Sequence, residues 1–226
     1  MSVSRYAIIV AGGSGSRMGG ETPKQFMLLK GMPVIYYSMQ RFYEAGAAIV
    51  LVLPTAHLSL WEKLRQQHGI NIPYQIAEGG SSRSHSVLNG LALIDETDAL
   101  VAVHDAVRAC VTTKLVNNLY EAALANGNAV PVVPLSDSIR EVNGSINNFV
   151  NREHYVSVQT PQVFTSTALK TAFRNTNYSL YTDEASLMEV SGHAISLIKG
   201  EQTNFKITFS QDLRQAEWIL DMQLSP

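Results

Sequence analysis

Apolar and polar positions along the 226-residue chain follow two alternating rhythms. Short apolar runs rich in Val, Ile and Ala predict buried strands at 8–10, 49–53, 74–77, 100–104, 129–133 and 156–159, with late ones at 194–198 and 204–207. Between them, apolar residues spaced three and four apart predict helices over 34–44, 58–68, 82–94, 114–126, 165–175, 184–190 and 211–220. Strand and helix in alternation predict an α/β fold, a mostly parallel sheet with helices on both faces. Ligands of such sheets sit beyond the carboxyl ends of the strands, so the residues that follow each strand are where chemistry is expected. No Pro/Gly/Ser-rich tract, charge block or internal repeat divides the chain, and 1–226 reads as a single domain.

One segment breaks the rhythm. Two polar strand-like runs flank Asn143-Gly144, a strong short-range hairpin signal, between 138 and 150. The segment, about 137–152 with its ends, has little apolar surface to offer its own core. A solvent-exposed flap and an arm that embraces a second subunit are both open readings.

Composition narrows the function classes. An apolar fraction of 46% is ordinary for a globular α/β protein. A net charge of −2 argues against a nucleic-acid partner. The single cysteine, Cys110, excludes an intramolecular disulfide and fits a reducing compartment. With no partner base near it in sequence, Cys110 reads as a small buried residue rather than a nucleophile. The first strand begins early, so no targeting peptide is expected, and no apolar run reaches membrane-spanning length. A cytoplasmic protein with no membrane partner is expected.

The stretch from Ala11 to Lys24, AGGSGSRMGGETPK, follows the first predicted strand. Its glycines allow close backbone approach with N–H groups turned inward, which suits a polyanion such as a triphosphate. Arg17 and Lys24 stand ready to neutralise charge on phosphate oxygens during transfer. No Gly-Lys-Ser/Thr occurs at P-loop spacing. The glycines at 13, 15 and 19 miss the dinucleotide fingerprint by one residue, and Glu21-Thr22-Pro23 stands where that fingerprint needs a helix to open.

Further candidates follow later strands. Glu78-Gly79-Gly80-Ser81-Ser82-Arg83 makes a tight turn, with Ser82 a candidate N-cap. In Val103-His104-Asp105-Ala106-Val107-Arg108, an aspartate at a strand's carboxyl end is a natural Mg²⁺ ligand beside a triphosphate; a helix N-cap is its bland alternative. Gln159-Thr160-Pro161-Gln162-Val163-Phe164 reads as a turn before a helix. Thr182-Asp183-Glu184 puts acids in a first helical turn, as the helix dipole prefers. Lys206, inside an apolar run, is costly to bury unless it is paired or faces a ligand.

These motifs together carry a resemblance. The pattern AGG-x-G-x-RM-x(4)-PK-Q, Ala11 through Gln25, resembles the signature loop of the nucleotidyltransferases that activate sugar and polyol phosphates. Its spacing is similar to that of the 2-C-methyl-D-erythritol 4-phosphate cytidylyltransferase branch, and the later motifs follow in that family's order. The resemblance implies a Rossmann-like fold, CTP and a polyol phosphate as substrates, Mg²⁺ as the cation, and a homodimer built through the hairpin arm. It implies catalytic roles for Arg17, Lys24 and Lys206, and nucleotide binding by Ala11, Gly12, Gly13, Ser14, Gly15, Gly80, Arg83 and Ser86. It implies acceptor binding by Asp105, Arg108, Arg152, Thr182 and Lys206, with Asp105 also meeting the metal. Ala109 departs from the proline common at that position. Related ribitol 5-phosphate cytidylyltransferases, which often carry His-Asp-Ser-Val-Arg and Thr-Asp-Ala-Cys, remain an alternative, as does a non-catalytic nucleotide-binding protein. Ala106 and Thr182-Asp183-Glu184-Ala185 favour the first family, while Val107 points the other way.

Overall fold

The computed structural model describes residues 3–12 and 22–224. In chain order its strands and helices are β1 (Arg5–Val10), β2 (Leu28–Leu29), β3 (Met32–Pro33), α1 (Val34–Glu44), β4 (Ala48–Leu53), α2 (Leu58–Gln67), β5 (Gln75–Glu78), α3 (Arg83–Leu91), β6 (Leu100–Asp105) and α4 (Thr113–Asn126). There follow β7 (Asn128–Pro134), β8 (Ile139–Asn143), β9 (Ile146–Val150), β10 (Val156–Val158), β11 (Gln162–Thr165), α5 (Ser166–Asn175), α6 (Glu184–Val190), β12 (Leu197–Lys199) and α7 (Ser210–Leu224).

The main sheet runs β10-β7-β11-β6-β1-β4-β5, with β12 added alongside β7. β6, β1, β4 and β5 are mutually parallel, and β11 pairs antiparallel with both β6 and β7. β1 is the first strand and lies between β4 and β6, so the chain order reverses there. Such a switch point opens a crevice at the carboxyl ends of the strands.

Alternation along the strands explains both faces being covered. Ala7, Ile9 and Leu51 point to one side and pack with Ile35, Met39 and Phe42 of α1, Trp61 of α2 and Leu119 of α4. Ile8, Val10, Val50 and Val52 point to the other and meet Val87 and Leu91 of α3, Leu169 of α5 and Leu187 of α6. A Cβ on Gly90 would meet Ile8 Cγ2 at 2.8 Å, so α3 sits this close to the sheet only because that residue is glycine. α7 closes a third cluster with Leu29, Val34, Val107 and Ile207.

The expected class therefore stands, with three departures. Residues 162–164, read as part of a turn, belong to the antiparallel strand β11 between β6 and β7. The late strand expected at 194–198 is shorter and later, as β12. The strand expected at 204–207 does not form. Its apolar alternation holds, but Ile207 N donates to Val107 O at 2.9 Å and the buried Asn204 amide donates to Thr160 O at 2.9 Å, so loop contacts take the place of a ladder. The hairpin forms as β8–β9, paired from Ile139↔Val150 to Asn143↔Ile146. Gly144, at φ 59°, takes the first turn position, one residue later than the Asn-Gly signal suggests. Among the described residues no helix is long and apolar enough to cross a membrane.

Candidate active site

Three loops meet at the carboxyl edge. Ala11 N donates to Val52 O at 3.0 Å, Gly79 N to Leu53 O at 2.8 Å, and Ala106 N to Val10 O at 3.0 Å, which fastens the chain after β1, β5 and β6 to the strand ends. They enclose a cleft of about 380 Å³ lined by Ala11, Gly12, Lys24, Gly80, Arg83, Ser86, Asp105 and Lys206, all expected from the sequence. Gln25, Ser81, Ser82 and Val107 also line it. Gln25 belonged to the signature motif but had no assigned task; its side-chain amide donates to Ala11 O at 2.8 Å and fixes the start of the glycine-rich loop.

Lys24 stands on a short 3-10 turn, Lys24–Phe26. Phe26 is buried and stacks on Trp61, with ring centroids 6.3 Å apart, which anchors the turn in the core. The Lys24 stem is buried in turn, and Nζ donates to Ile207 O at 3.1 Å. The cation is thus carried on a turn that is anchored in the core.

The Gly80 turn is braced from within. Gly80 N donates to Ser86 Oγ at 3.0 Å, and that hydroxyl donates to Ser82 O at 2.9 Å. Ser82 caps α3 by accepting from His85 N at 3.1 Å. Any Cβ on Gly80 would collide with the His85 ring. Ser86 Oγ also lies 3.9 Å from the Cβ position of Gly12, so the first and second loops touch here.

Asp105 is the carboxylate at the cleft. Its Oδ1 accepts from Arg83 Nε at 3.0 Å and its Oδ2 from Lys206 Nζ at 2.8 Å. Burial opposes ionisation, but the neighbouring Arg83 and Lys206 charges outweigh it and hold the carboxyl well below the ordinary range. Its backbone N–H donates to Thr160 Oγ1 at 3.1 Å, and the same hydroxyl meets His104 Nδ1 at 3.2 Å. His104 is fully buried against Phe42, and burial pushes its pKa down to about 3, so it stays neutral. Thr160 sits in the break between β10 and β11, at a cis Thr160–Pro161 peptide. The motif read as structural therefore reaches the site.

The family profile for 2-C-methyl-D-erythritol 4-phosphate cytidylyltransferase matches residues 5–222. The chain belongs to that family. It is 40% identical over 221 residues to the 2-C-methyl-D-erythritol 4-phosphate cytidylyltransferase of Porphyromonas gingivalis, covering 97% of this chain and 99% of the relative. It is likewise 40% identical over 220 residues to the enzyme of that name from Bacteroides thetaiotaomicron, covering 96% and 100%. The crystal structure of the Thermus thermophilus enzyme is similar with a TM-score of 0.77 and 31% identity, covering 98% and 100% of the two chains.

Not every residue implied by the family lines the cleft. Arg108 turns its Nη1 to Asn204 O at 2.8 Å and so holds the segment that carries Lys206. Thr182 is exposed, two residues from the buried Glu184. Arg152 is exposed at the base of the arm, where it donates to Ser136 O. Gly13, Ser14, Gly15 and Arg17 lie outside the described residues. Cys110 is buried against α7, where burial raises its thiol pKa to about 12, as suits a packing residue. Among the described residues no cluster of three or more His, Cys, Asp or Glu side chains could hold a metal.

Proposed function

We propose that the chain joins CTP and 2-C-methyl-D-erythritol 4-phosphate, releasing pyrophosphate and forming 4-diphosphocytidyl-2-C-methyl-D-erythritol for non-mevalonate isoprenoid synthesis. A phosphate oxygen of the acceptor attacks the α-phosphorus of CTP, the bond to the pyrophosphate oxygen breaks, and pyrophosphate carries away the electron pair. The attacking monoester oxygen is already ionised near neutral pH, so no general base is needed. The observation that carries this reading is the Asp105 carboxylate fixed between Arg83 and Lys206 beside the buried Lys24. Lys24 and Lys206 offer preorganised positive charge for the triphosphate and the reacting phosphate, and Asp105 offers an anionic acceptor for substrate hydroxyls. Arg17, by family resemblance, adds a further cation.

Mg²⁺ is proposed as the counter-ion of the triphosphate, neutralising its charge and easing departure of pyrophosphate. The donor set fits that role rather than a resident site. Asp105 is the cleft's one carboxylate among the described residues, and both its oxygens already meet cations. Magnesium commonly takes one or two carboxylates together with substrate phosphates and water. Asp105 would supply that carboxylate.

A homodimer through the arm is proposed on its exposed apolar side chains, with Arg152 serving the acceptor phosphate of the partner's site. A cytoplasmic location accords with the free, buried Cys110. The deciding experiment follows pyrophosphate release from CTP and Mg²⁺ with 2-C-methyl-D-erythritol 4-phosphate and with ribitol 5-phosphate in parallel. Turnover with the first alone supports the reading. Turnover with ribitol 5-phosphate alone reassigns the acceptor, and CTP binding without turnover of either would make the chain a nucleotide-binding protein.

A further inference from the structure

Glu184 has no part in the chemistry described so far, yet its carboxylate is almost completely buried in the first turn of α6. It is not needed as a cap. Asp183 already fills that role, with Oδ1 accepting from Ser186 N at 3.2 Å. Glu184 instead points at the active site: Oε1 accepts from Arg83 Nη1 at 2.6 Å, while Arg83 Nε holds Asp105 at 3.0 Å. The charges alternate in a row, Glu184, Arg83, Asp105, Lys206, from the protein interior to the cleft. Among the described residues neither Glu184 Oε2 nor Arg83 Nη2 has a hydrogen-bond partner. Stability gives little reason for such an arrangement, because well-packed apolar side chains commonly do as well as a buried ion pair.

Ser84 beside Arg83 is tied across the same gap, its Oγ donating to Tyr181 O at 2.8 Å, while Gln162 of β11 braces the far side by bridging Asp183 and the backbone N–H of Ala185, each at 2.8 Å. The start of α3, which borders the nucleotide side of the cleft, is thus pinned to residues 181–185.

We propose that Glu184 is a positioning residue for the transfer reaction: it anchors Arg83 against Asp105 and keeps that guanidinium from turning onto the triphosphate. This rests on the function proposed above. Arg83 lines the cleft, and an incoming polyanion pulls on it. Without the Glu184 charge the guanidinium turns toward the triphosphate, and Asp105 loses the Nε contact that orients it toward the acceptor.

The test is steady-state kinetics of E184Q, R83K and the double variant, with CTP and 2-C-methyl-D-erythritol 4-phosphate each varied. KM does not depend on the fraction of enzyme that folds, so the readout separates positioning from mere loss of structure. E184Q is expected to raise the acceptor KM about tenfold, the scale of one charge-assisted hydrogen bond, without raising the CTP KM. In the R83K background the same change should add less than about twofold, because Glu184 acts through Arg83. E184D keeps the charge but withdraws it by one methylene, and is expected to raise the acceptor KM several-fold; it carries the test if E184Q does not fold. An unchanged acceptor KM, a parallel rise in both KM values, or full additivity with R83K would overturn the proposal. The wild-type protein in the same assay distinguishes the two readings: if it fails to use this acceptor, the functional reading falls and this inference falls with it.

Discussion

Lys206 Nζ lies 2.8 Å from Asp105 Oδ2, although 101 residues separate the two in sequence. The pair is asymmetric. Asp105 is buried at the end of β6, whereas the Lys206 side chain is 41% exposed, so the lysine is the member that can leave and meet a ligand. Lys206→Ala should therefore cost little stability, since an exposed partner of an ion pair contributes roughly 1 kcal/mol or less. Its cost should appear in turnover, as a fall of roughly a hundredfold or more in kcat, the scale of losing one preorganised charge. Thermal melting beside stopped-flow turnover checks both halves. A large drop in Tm with kcat retained would make Lys206 a structural residue.

Lys24 presents the opposite case, a cation whose stem is buried and whose turn is anchored by Phe26 against Trp61. A charge held that rigidly does little to capture a mobile triphosphate but contributes most where charge builds during transfer. Lys24→Ala should lower kcat by roughly a hundredfold while changing the CTP Kd only a few-fold. Titration calorimetry with CTP and a single-turnover assay provide the comparison. Equal losses in both would make Lys24 a binding residue only.

The pH profile should not report His104. Burial lowers its pKa to about 3, and the Asp105 carboxyl is held below its ordinary range, so neither group changes charge between pH 5 and 8. The acid limb of kcat/KM should instead follow the acceptor's phosphate monoester, with an apparent pKa of about 6, and survive in His104→Asn. Stability behaves differently. A ring whose folded pKa lies below its ordinary 6.5 stabilises the fold fully above pH 6.5, and that contribution is lost as pH falls toward 3. The loss amounts to about 1.4 kcal/mol per pH unit at most. Between pH 6.5 and pH 5, urea unfolding should therefore show the wild type losing about 1.6 kcal/mol more stability than His104→Asn. Equal losses would place His104 in contact with solvent.

Much of this site was legible in the sequence because it lies where local signals are strong. Apolar runs placed β1, β4, β5 and β6, and glycines, serines and cations just after strands marked the cleft. Lys206 stood out as a charge in an apolar stretch, but that same stretch misled the reading of a strand at 204–207. What fixes it is the Asn204 side chain on Thr160 O, a contact between residues 44 apart that no periodicity encodes. β11 escaped for a related reason. Pro161 before a short Val163-Phe164 run looks like a turn, and only pairing with β6 and β7 makes it a strand. The ion pair of Glu184 with Arg83 spans 101 residues, and a first-turn acid already had a sufficient local explanation in the helix dipole.

The arm offers the sharpest test of assembly. A two-stranded hairpin is marginal in water by itself, and β8–β9 pairs with no other strand among the described residues. Its register puts Val142 and Phe149 on one face, with Ile146 on the other, and these side chains are 70%, 77% and 65% exposed. Apolar surface on both faces of an unsupported ribbon is what a second subunit would cover. Phe149→Asp with Val142→Asp should then shift the protein from dimer to monomer in sedimentation velocity without lowering the Tm of the main domain. Arg152, exposed at the base of the same arm, should link assembly to catalysis. Mixing the impaired Lys24→Ala and Arg152→Ala proteins should raise turnover above that of either alone, because a mixed dimer pairs one intact cleft with one intact arm. If subunits exchange and activity does not return, Arg152 serves its own subunit or none. If the double arm variant remains a dimer, the subunits meet elsewhere.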